Sequence, residues 1–427
     1  MLSFSTEEFK QEIIDCLIHV KEKQTGKGLQ LDFPDLLCED FNCEEYDDIL
    51  IDENYEVSIF PDETNQEYYM TIREFIDVIN ESKEVTYHDT LKCITNKRAL
   101  IRVNNCENED IHIVNELLTL NSKILELESN INNKSISCSL VKGFTMYGLM
   151  RHFKKDYGDY YGSVIDTDAF IEIKYDEMLS KDELNSIYNS YVFELSASHN
   201  INMVAEPRFS ISELEDYDIE LDTTKVLPLR PLLFGKGMDS VLEIFNKGVS
   251  SNTNPEYSII QYSKVLEYVS QTVIREELNT EVFKKLDCPS ALNPDANYIK
   301  ELENLIVELN KKYEIDRGAL KITIKTCCDI LSITEYAPSH LGKVVNLKQN
   351  LEKTKANKEQ ILEAAYDQLS DSISDTRNHL SHAKTNYVLK GLECPKEDYE
   401  DFARMTKALA VQAIRWFARV HEDSRVI

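Results

Sequence analysis

Residues 361–382 read ILEAAYDQLSDSISDTRNHLSH, and this stretch decides how the C-terminal part of the chain folds. Its apolar positions recur every three or four residues, which is the spacing of one face of an α-helix. Those positions are Ile361, Ala365, Leu369, Ile373, Thr376 and Leu380. The spacing predicts a helix over 358–384 that turns this stripe toward the core of a helical bundle.

The same helix carries polar residues beside its apolar stripe. At ~100° per residue, Arg377, Asn378, Ser381 and His382 spread over one flank, and His379 points to the other. An arginine guanidinium donates hydrogen bonds to a phosphate oxygen and stabilises the negative charge that develops in the transition state. An imidazole takes up and releases protons near neutral pH. An arginine and a histidine placed like Arg377 and His382 can therefore carry out phosphodiester chemistry on RNA without a metal.

Helical periodicity continues on both sides of this stretch. It covers residues 256–280, 294–312, 316–333 and 396–421, with Gly391 and Pro395 marking the last gap. These segments predict an all-α domain over residues 251–427, about the size of a helical bundle.

The first 250 residues have a different pattern. Short alternating runs at 55–59, 99–103, 169–174 and 201–204 predict strands, with helices at 73–81 and 113–129 and a first helix that begins with a capping box at residues 5–8. Residues 226–236, VLPLRPLLFGK, contain two prolines in an apolar run and predict a connecting strap. The predicted fold class is α+β, with a mixed α/β region over 1–250 followed by the all-α domain.

Acidic residues are concentrated in the first of these regions. The whole chain has 76 Asp and Glu against 47 Lys and Arg, a net charge of -29. Residues 1–250 hold 49 acidic and 23 basic residues, whereas residues 251–427 hold 27 and 24. Because nucleic-acid affinity comes mainly from Lys and Arg, the first region is a poor RNA or DNA binder. Two interpretations of the acidic residues stay open. They could keep the protein soluble, or they could belong to a sensing or masking region that covers the second half until a trigger arrives.

Several function classes have no support in the sequence. The chain lacks the glycine-rich motifs of nucleotide and dinucleotide binding and the G-x-S-x-G motif of α/β-hydrolases. Its ten cysteines are scattered without a C-x-x-C pair, so we expect reduced thiols and no bound metal or other cofactor. The N-terminus has no leader pattern and no window is apolar enough to span a membrane, which predicts a cytoplasmic protein that does not bind membranes.

The C-terminal pattern resembles the HEPN superfamily, whose signature is an arginine, a polar residue, three further positions and a histidine, late in a small helical bundle. Here the signature reads RNHLSH over residues 377–382, and it is the one Arg-x4-His in the chain. The resemblance covers about 250–427. It implies a homodimer in which two motifs meet in a cleft and cut RNA without metal, leaving a cyclic phosphate and a 5′-hydroxyl.

By the same resemblance, HEPN domains fused to a larger variable N-terminal region are often bacterial toxins or anti-phage abortive-infection effectors, ApeA-like proteins among them. The prediction is therefore an endoribonuclease in which Arg377 clamps phosphate, His382 moves protons and Asn378 orients the phosphate or the His ring. Its expected partners are an RNA substrate, with tRNA as one candidate, a second copy of the chain, and a phage-derived trigger sensed by residues 1–250.

Three alternatives stay open. The helical domain could dimerise and bind or regulate without catalysis. The polar flank could be an ordinary solvated face, with Arg377 paired to Asp371 or Asp375. Finally, Glu172 and Lys174 resemble the E-x-K end of a metal-dependent nuclease, with Asp159, Asp166 and Asp168 as upstream ligands, although alternating charge on the wet face of a strand is far commoner.

Overall fold

A computed structural model describes residues 3–23, 30–32, 50–60, 68–105, 125–154, 168–205, 228–251, 254–313, 316–353, 357–381 and 389–427. Contacts divide the chain into two compact units, residues 1–184 with 203–231 and residues 185–202 with 232–427. Within the described residues every strand belongs to the first unit, and the second unit is helical. The predicted α+β class is therefore confirmed.

The described part of the first unit contains helices, antiparallel sheets and one parallel pair of two-residue strands. Its strands are β1 (Ser3–Phe4), β2 (Gln30–Asp32), β3 (Leu50–Ile51), β4 (Glu56–Phe60), β5 (Tyr68–Thr71), β6 (Tyr87–His88), β7 (Lys92–Ile94), β8 (Arg98–Asn105), β9 (Leu127–Ile131), β10 (Lys134–Lys142), β11 (Ala169–Tyr175) and β12 (Met203–Val204). Its helices are α1 (Glu7–Lys23), α2 (Ile72–Ser82) and α3 (Met146–Lys154). The largest sheet has the order β6-β7-β8-β11-β10-β9, with β12 added to β8.

Helices α1 and α2 begin at side-chain caps. The Oγ1 of Thr6 accepts a hydrogen bond from the Phe9 N–H at 3.1 Å, so the first helix starts one residue later than a cap at Ser5 would place it. Thr71 and Glu74 form a reciprocal capping box at the start of α2. Both helices pack their apolar faces into a common core with β4.

Two predictions for this unit need correction. Residues 127–129, expected to end the helix predicted over 113–129, belong to β9 and pair with β10, because strand pairing overrides a helical spacing of leucines; residues 106–124 lie outside the described residues. The face of β11 that carries Glu172 is not wet, since Phe170 and Glu172 are both buried. The ring of Tyr147, from α3, covers that face with its centroid 5.0 Å from that of Phe170.

The second unit is built from helices of very different lengths. They are α4 (Lys181–His199, from Asn185 onward), α5 (Met238–Val249), α6 (Pro255–Leu286), α7 (Ala296–Tyr313), α8 (Asp316–Cys327), α9 (Ile330–Ile333), α10 (Gly342–Val345), α11 (Leu347–Lys353), α12 (Lys358–Ser381) and α13 (Tyr399–Arg419). One continuous apolar core includes residues of all these helices except α7, with α5, α6 and α13 supplying most of its buried members. The helices predicted over 256–280, 294–312 and 396–421 are confirmed in the main. The helix predicted over 316–333 is interrupted at residues 328 and 329, and residues 382–384 of the helix predicted over 358–384 lie outside the described residues.

The contacts do not divide the chain at the predicted boundary between residues 250 and 251. Ser250 caps the end of α5, Asn254 caps the start of α6, and the two helices pack directly on each other; residues 252 and 253 lie outside the described residues. A Cβ at Gly248 would lie 2.7 Å from the Tyr262 ring, so glycine permits this close approach. The Ser258 hydroxyl also donates to the Gly248 carbonyl at 2.8 Å. A polar turn between packed helices thus resembles an interdomain linker in sequence.

The predicted strap is an extended connection in its described part. Residues 228–234 have no regular secondary structure, Leu232 is buried, and the N–H of Leu233 donates to Ser190 Oγ at 2.6 Å. Residues 226 and 227 lie outside the described residues.

Substitution of Leu369 by alanine should lower the free energy of unfolding of the second unit by about 2–5 kcal/mol, because this side chain is fully buried and its removal leaves a cavity. Leu389→Ala is the matched control, since that leucine is 65% exposed and should change stability by less than about 0.5 kcal/mol. Urea denaturation followed by the fluorescence of Trp416, the one tryptophan of the chain, measures both. Equal effects of the two substitutions would contradict the packing described for α12.

Candidate functional site

Helix α12 positions the predicted motif by its apolar stripe. Ala365, Leu369, Ile373 and Thr376 are completely buried, as the spacing predicts. Leu380 is only partly buried and packs against the edge of the core. The stripe thereby sets the rotation of the helix and brings the next residue, Arg377, to the border between core and solvent.

Arg377 is held by two hydrogen bonds on its guanidinium. Its Nη1 donates to Asn378 Oδ1 at 2.8 Å, and its Nη2 donates to Glu267 Oε2 of α6, also at 2.8 Å. The side chain of Arg377 is 25% exposed and that of Glu267 is 40% exposed. A guanidinium has five N–H donors, so further donors remain beside the two that these described partners engage.

The alternative in which Arg377 pairs with Asp371 or Asp375 names the wrong partner, because Arg377 pairs with Glu267. Asp375 lies about 200° around the helix from Arg377 and is fully buried between Arg317 and Lys390. Asp371 contacts Arg317 at 3.6 Å. The acid that does meet Arg377 belongs to another helix and is 110 positions away in sequence.

His382 lies outside the described residues, so the structure supplies Arg377 and Asn378 of the predicted catalytic set. Ser381 ends α12 and is exposed, and His379 is half-buried. The chain returns to α12 soon afterwards: the Cys394 N–H donates to Thr376 Oγ1 at 2.8 Å, and Lys390 reaches Asp375. The segment that follows residues 382–388 is therefore anchored to α12 at Asp375 and Thr376, directly before Arg377.

A row of ion pairs fastens α12 to α8. Basic residues spaced four apart on α8 meet acidic residues spaced four apart on α12; the pairs are Lys325–Glu363, Lys321–Glu363, Lys321–Asp367, Arg317–Asp371 and Arg317–Asp375. Most of these groups are solvated and contribute little each. The exception is Asp375, whose buried carboxylate depends on its cations.

His340 makes a second polar connection to α12. Its Nδ1 lies 3.2 Å from Asp398 Oδ2 and its Nε2 lies 3.3 Å from Ser372 Oγ, while its ring stacks on Phe402. The order of groups is that of a serine–histidine–aspartate triad, but Ser372 is fully buried and no substrate could reach it. His340 lies in a turn and joins three segments of the second unit.

Glu172 is part of an ion-pair cluster in the first unit. Its carboxylate contacts Arg98, Lys174 at 3.0 Å and Ser139 Oγ at 3.2 Å. Asp168 instead pairs with the buried Arg102 at 2.7 Å; Asp159 and Asp166 lie outside the described residues. Among the residues that the structure describes, no group of three His, Cys, Asp or Glu side chains could hold a metal ion.

Comparison of the chain with protein-family models, with curated proteins and with solved structures gives no match. The site is therefore interpreted from its own geometry. In the described part of the chain, every helix is too short or too polar to cross a lipid bilayer.

Three residues that contact α12 near the motif were not predicted from the sequence: Glu267 contacts Arg377, and Arg317 and Lys390 contact Asp375. Each meets α12 through tertiary packing, at separations of 110, 58 and 15 residues. The charge spacing on α8 was a local signal, because residues 317, 321 and 325 lie on a single helical face and match the spacing of acidic residues on α12.

Replacement of Arg317 by alanine should lower the free energy of unfolding of the second unit by about 1–3 kcal/mol, because the buried Asp375 carboxylate loses a charged hydrogen-bond donor. Arg404→Ala is the control: this residue is 69% exposed and pairs only within its own helix turn. The measurement is urea denaturation at low and high salt. A loss no larger than that of Arg404→Ala would show that Asp375 does not need Arg317.

The Glu172 carboxylate should stabilise the first unit in a pH-dependent way. Burial raises the pKa of Glu172, and the hydrogen bonds and charges of Arg98 and Lys174 together lower it by more, so this pKa lies below the usual value. Its stabilisation is present above the ordinary glutamate pKa of about 4.3 and is lost as the pH falls through the folded-state value. Glu172→Gln should therefore increase amide hydrogen exchange in β11 at about pH 7 and do so less at about pH 3.

Glu128→Gln serves as the control for this pH series, because Glu128 lies exposed on β9 of the same sheet. Each variant is compared with the unsubstituted chain at the same pH, so that intrinsic exchange rates cancel. A Glu172→Gln effect that is constant over the pH range would contradict the assignment.

Proposed function

We propose that the chain is a metal-independent endoribonuclease of HEPN type, with Arg377, Asn378 and His382 as its catalytic set. The observation that supports this most is the state of Arg377: it lies on a rigid helix at the border of the core, partly exposed, and is oriented by two acceptors. Such an arginine is suited to bind a phosphate oxygen with its remaining N–H groups.

In the proposed reaction, the 2′-hydroxyl oxygen of RNA attacks the adjacent phosphorus and the bond from phosphorus to the 5′-oxygen breaks. One imidazole takes the 2′-hydroxyl proton, and a protonated imidazole supplies the proton that the leaving 5′-oxygen needs. Arg377 stabilises the charge on the non-bridging oxygens. The products are a 2′,3′-cyclic phosphate and a 5′-hydroxyl, so atoms and protons balance without an added reactant.

Asn378 has a narrower role in this proposal than the sequence suggests. Its Oδ1 accepts a hydrogen bond from Arg377, so the amide orients the guanidinium. In the proposed site its N–H groups donate to a phosphate or to the His382 ring. A homodimer belongs to the proposal because one chain supplies one Arg and one His, whereas the reaction uses both a base and an acid. A two-fold axis at the motif would supply the second set.

The biological setting is a further part of the proposal. A bacterial toxin or anti-phage effector acting on cytoplasmic RNA, with tRNA as one candidate and the first 250 residues responding to a phage component, is consistent with the acidic N-terminal half. The acidic charge of that half disfavours direct RNA contact there.

A non-catalytic dimeric binding or regulatory protein is the second candidate. The ion pair between Arg377 and Glu267 favours it, because a surface arginine that already has an acidic partner is also common in structural helix contacts. RNA end chemistry distinguishes the two candidates.

Full-length Arg377→Ala and His382→Ala should each reduce RNA cleavage at least about 100-fold, because each removes a group that acts in the transition state. Total RNA is incubated with each protein in excess chelator, and the product ends are analysed for cyclic phosphate. Arg404→Ala, which removes an exposed arginine elsewhere, should cleave normally, and Trp416 fluorescence verifies that each variant is folded.

The full chain is used because a fragment beginning at residue 251 would omit core residues of α4 and α5, such as Phe193 and Phe245. If folded His382→Ala still cleaved RNA, the proposed role of His382 in proton transfer would be contradicted. An unsubstituted protein that binds RNA without cutting it, or leaves it intact as a folded dimer, would make the binding protein the leading interpretation.

A further inference from the structure

The strongest unassigned feature beside the motif is Glu267. This residue lies on α6 between Leu266 and Val269, both fully buried, so the backbone at this point is packed into the apolar core of the second unit. Arg377 follows the buried Thr376 on α12. The 2.8 Å contact from Arg377 Nη2 to Glu267 Oε2 therefore joins two helices that are fixed in one core.

Two acceptors hold the guanidinium from different directions. Asn378 comes from the next position on α12, and Glu267 comes from another helix, so together they restrict rotation of a long side chain that has several rotatable bonds. A phosphate then meets N–H donors that are already placed. Preorganised donors stabilise transition-state charge without reorganisation during the reaction.

We infer that Glu267 is the positioning residue of the site: its carboxylate holds Arg377 in the orientation that receives the phosphate. This inference rests on the proposed ribonuclease activity. It also implies that α6, and not only the motif helix, carries part of the active site, and that the acid acts through Arg377 without touching RNA itself.

A positioning role has a kinetic signature that differs from that of a competing counter-ion. A residue that orients a transition-state contact changes kcat and leaves KM nearly constant. An acid that RNA must displace would weaken binding, so its removal would lower KM and leave kcat unchanged. Gln keeps the length and one acceptor oxygen of Glu267, whereas Ala removes both. Glu267→Ala should therefore lower kcat more than Glu267→Gln does.

The test compares the unsubstituted full-length chain, Glu267→Gln, Glu267→Ala and Glu281→Gln on a mixed-sequence single-stranded oligoribonucleotide with a fluorophore and quencher, in chelator. We expect kcat to fall about tenfold in Glu267→Gln and further in Glu267→Ala, with KM within about twofold of the unsubstituted value. Glu281 is the matched control: it lies on the same helix, pairs with Lys284 at 2.5 Å and is 37% exposed, against 40% for Glu267.

Each outcome decides one point. A lower KM with unchanged kcat, unchanged kinetics, or an equal loss in Glu281→Gln would each overturn the positioning role while the ribonuclease stands. An unsubstituted chain that does not cut this oligoribonucleotide or total RNA overturns the ribonuclease and the inference together. Thermal unfolding followed by Trp416 separates a kinetic loss from a folding defect.

Discussion

Burial of α6 is the constraint on which the second unit depends. Over residues 258–273 this helix is buried on most of its circumference, with Tyr262, Val265, Leu266 and Val269 in the core. It packs against α5, α8, α12 and α13, so each of these helices takes its place from the same surface. A helix enclosed in this way needs small residues where neighbours come closest, and Gly248 meets that need beside Tyr262. Residues of α6 at the edge of this contact, such as Glu267, consequently have fixed positions.

Helix α12 reaches this core with small polar residues as well as large apolar ones. Four small polar residues of α12 are buried: Ser370, Ser372, Ser374 and Thr376. Three of them make hydrogen bonds through their hydroxyl groups: Ser370 with the Asp367 carbonyl, Ser372 with His340, and Thr376 with the Cys394 N–H. Buried polar groups without partners would cost stability. Here they connect the helix to two loops that surround it. The turn just before Arg377 is thus enclosed on both faces, which explains why a polar flank in the sequence is only partly a solvated surface.

The long helices of the second unit could be predicted because each has one apolar stripe over several turns. Helix α4 was not predicted, for the opposite reason. Its buried residues lie on several sides of the helix, so the sequence shows no single apolar stripe. These residues are Ile187, Tyr191, Val192, Phe193 and Leu195. The boundary at residue 250 misled because a polar turn between packed helices has the composition of a linker. Strand β9 depends on pairing with β10, which no local spacing reports.

The same distinction applies to the candidate site. The Arg-Asn pair and its helix followed from sequence, because both are properties of consecutive residues. Glu267 did not, because its contact with Arg377 depends on how α6 and α12 cross. Asp375 shows the limit of reading a helix by angle alone: it lies opposite the apolar stripe, yet it is fully buried because α8 and the segment at Lys390 cover that side.

The charges around Arg377 bear on how an acidic chain could act on RNA. Arg377 has Glu267 beside it, and Arg317, Lys321 and Lys325 on α8 all have acidic partners on α12. Paired cations release few counterions when a phosphate arrives, so these residues would supply little of the salt-dependent affinity that basic surfaces have for nucleic acid. An arrangement of this kind is poor at attracting RNA but well suited to holding one guanidinium still. If the chain cuts RNA, the described part of the site favours orientation over attraction, and much of the binding energy must come from RNA contacts of the second copy or of residues beyond the motif helix.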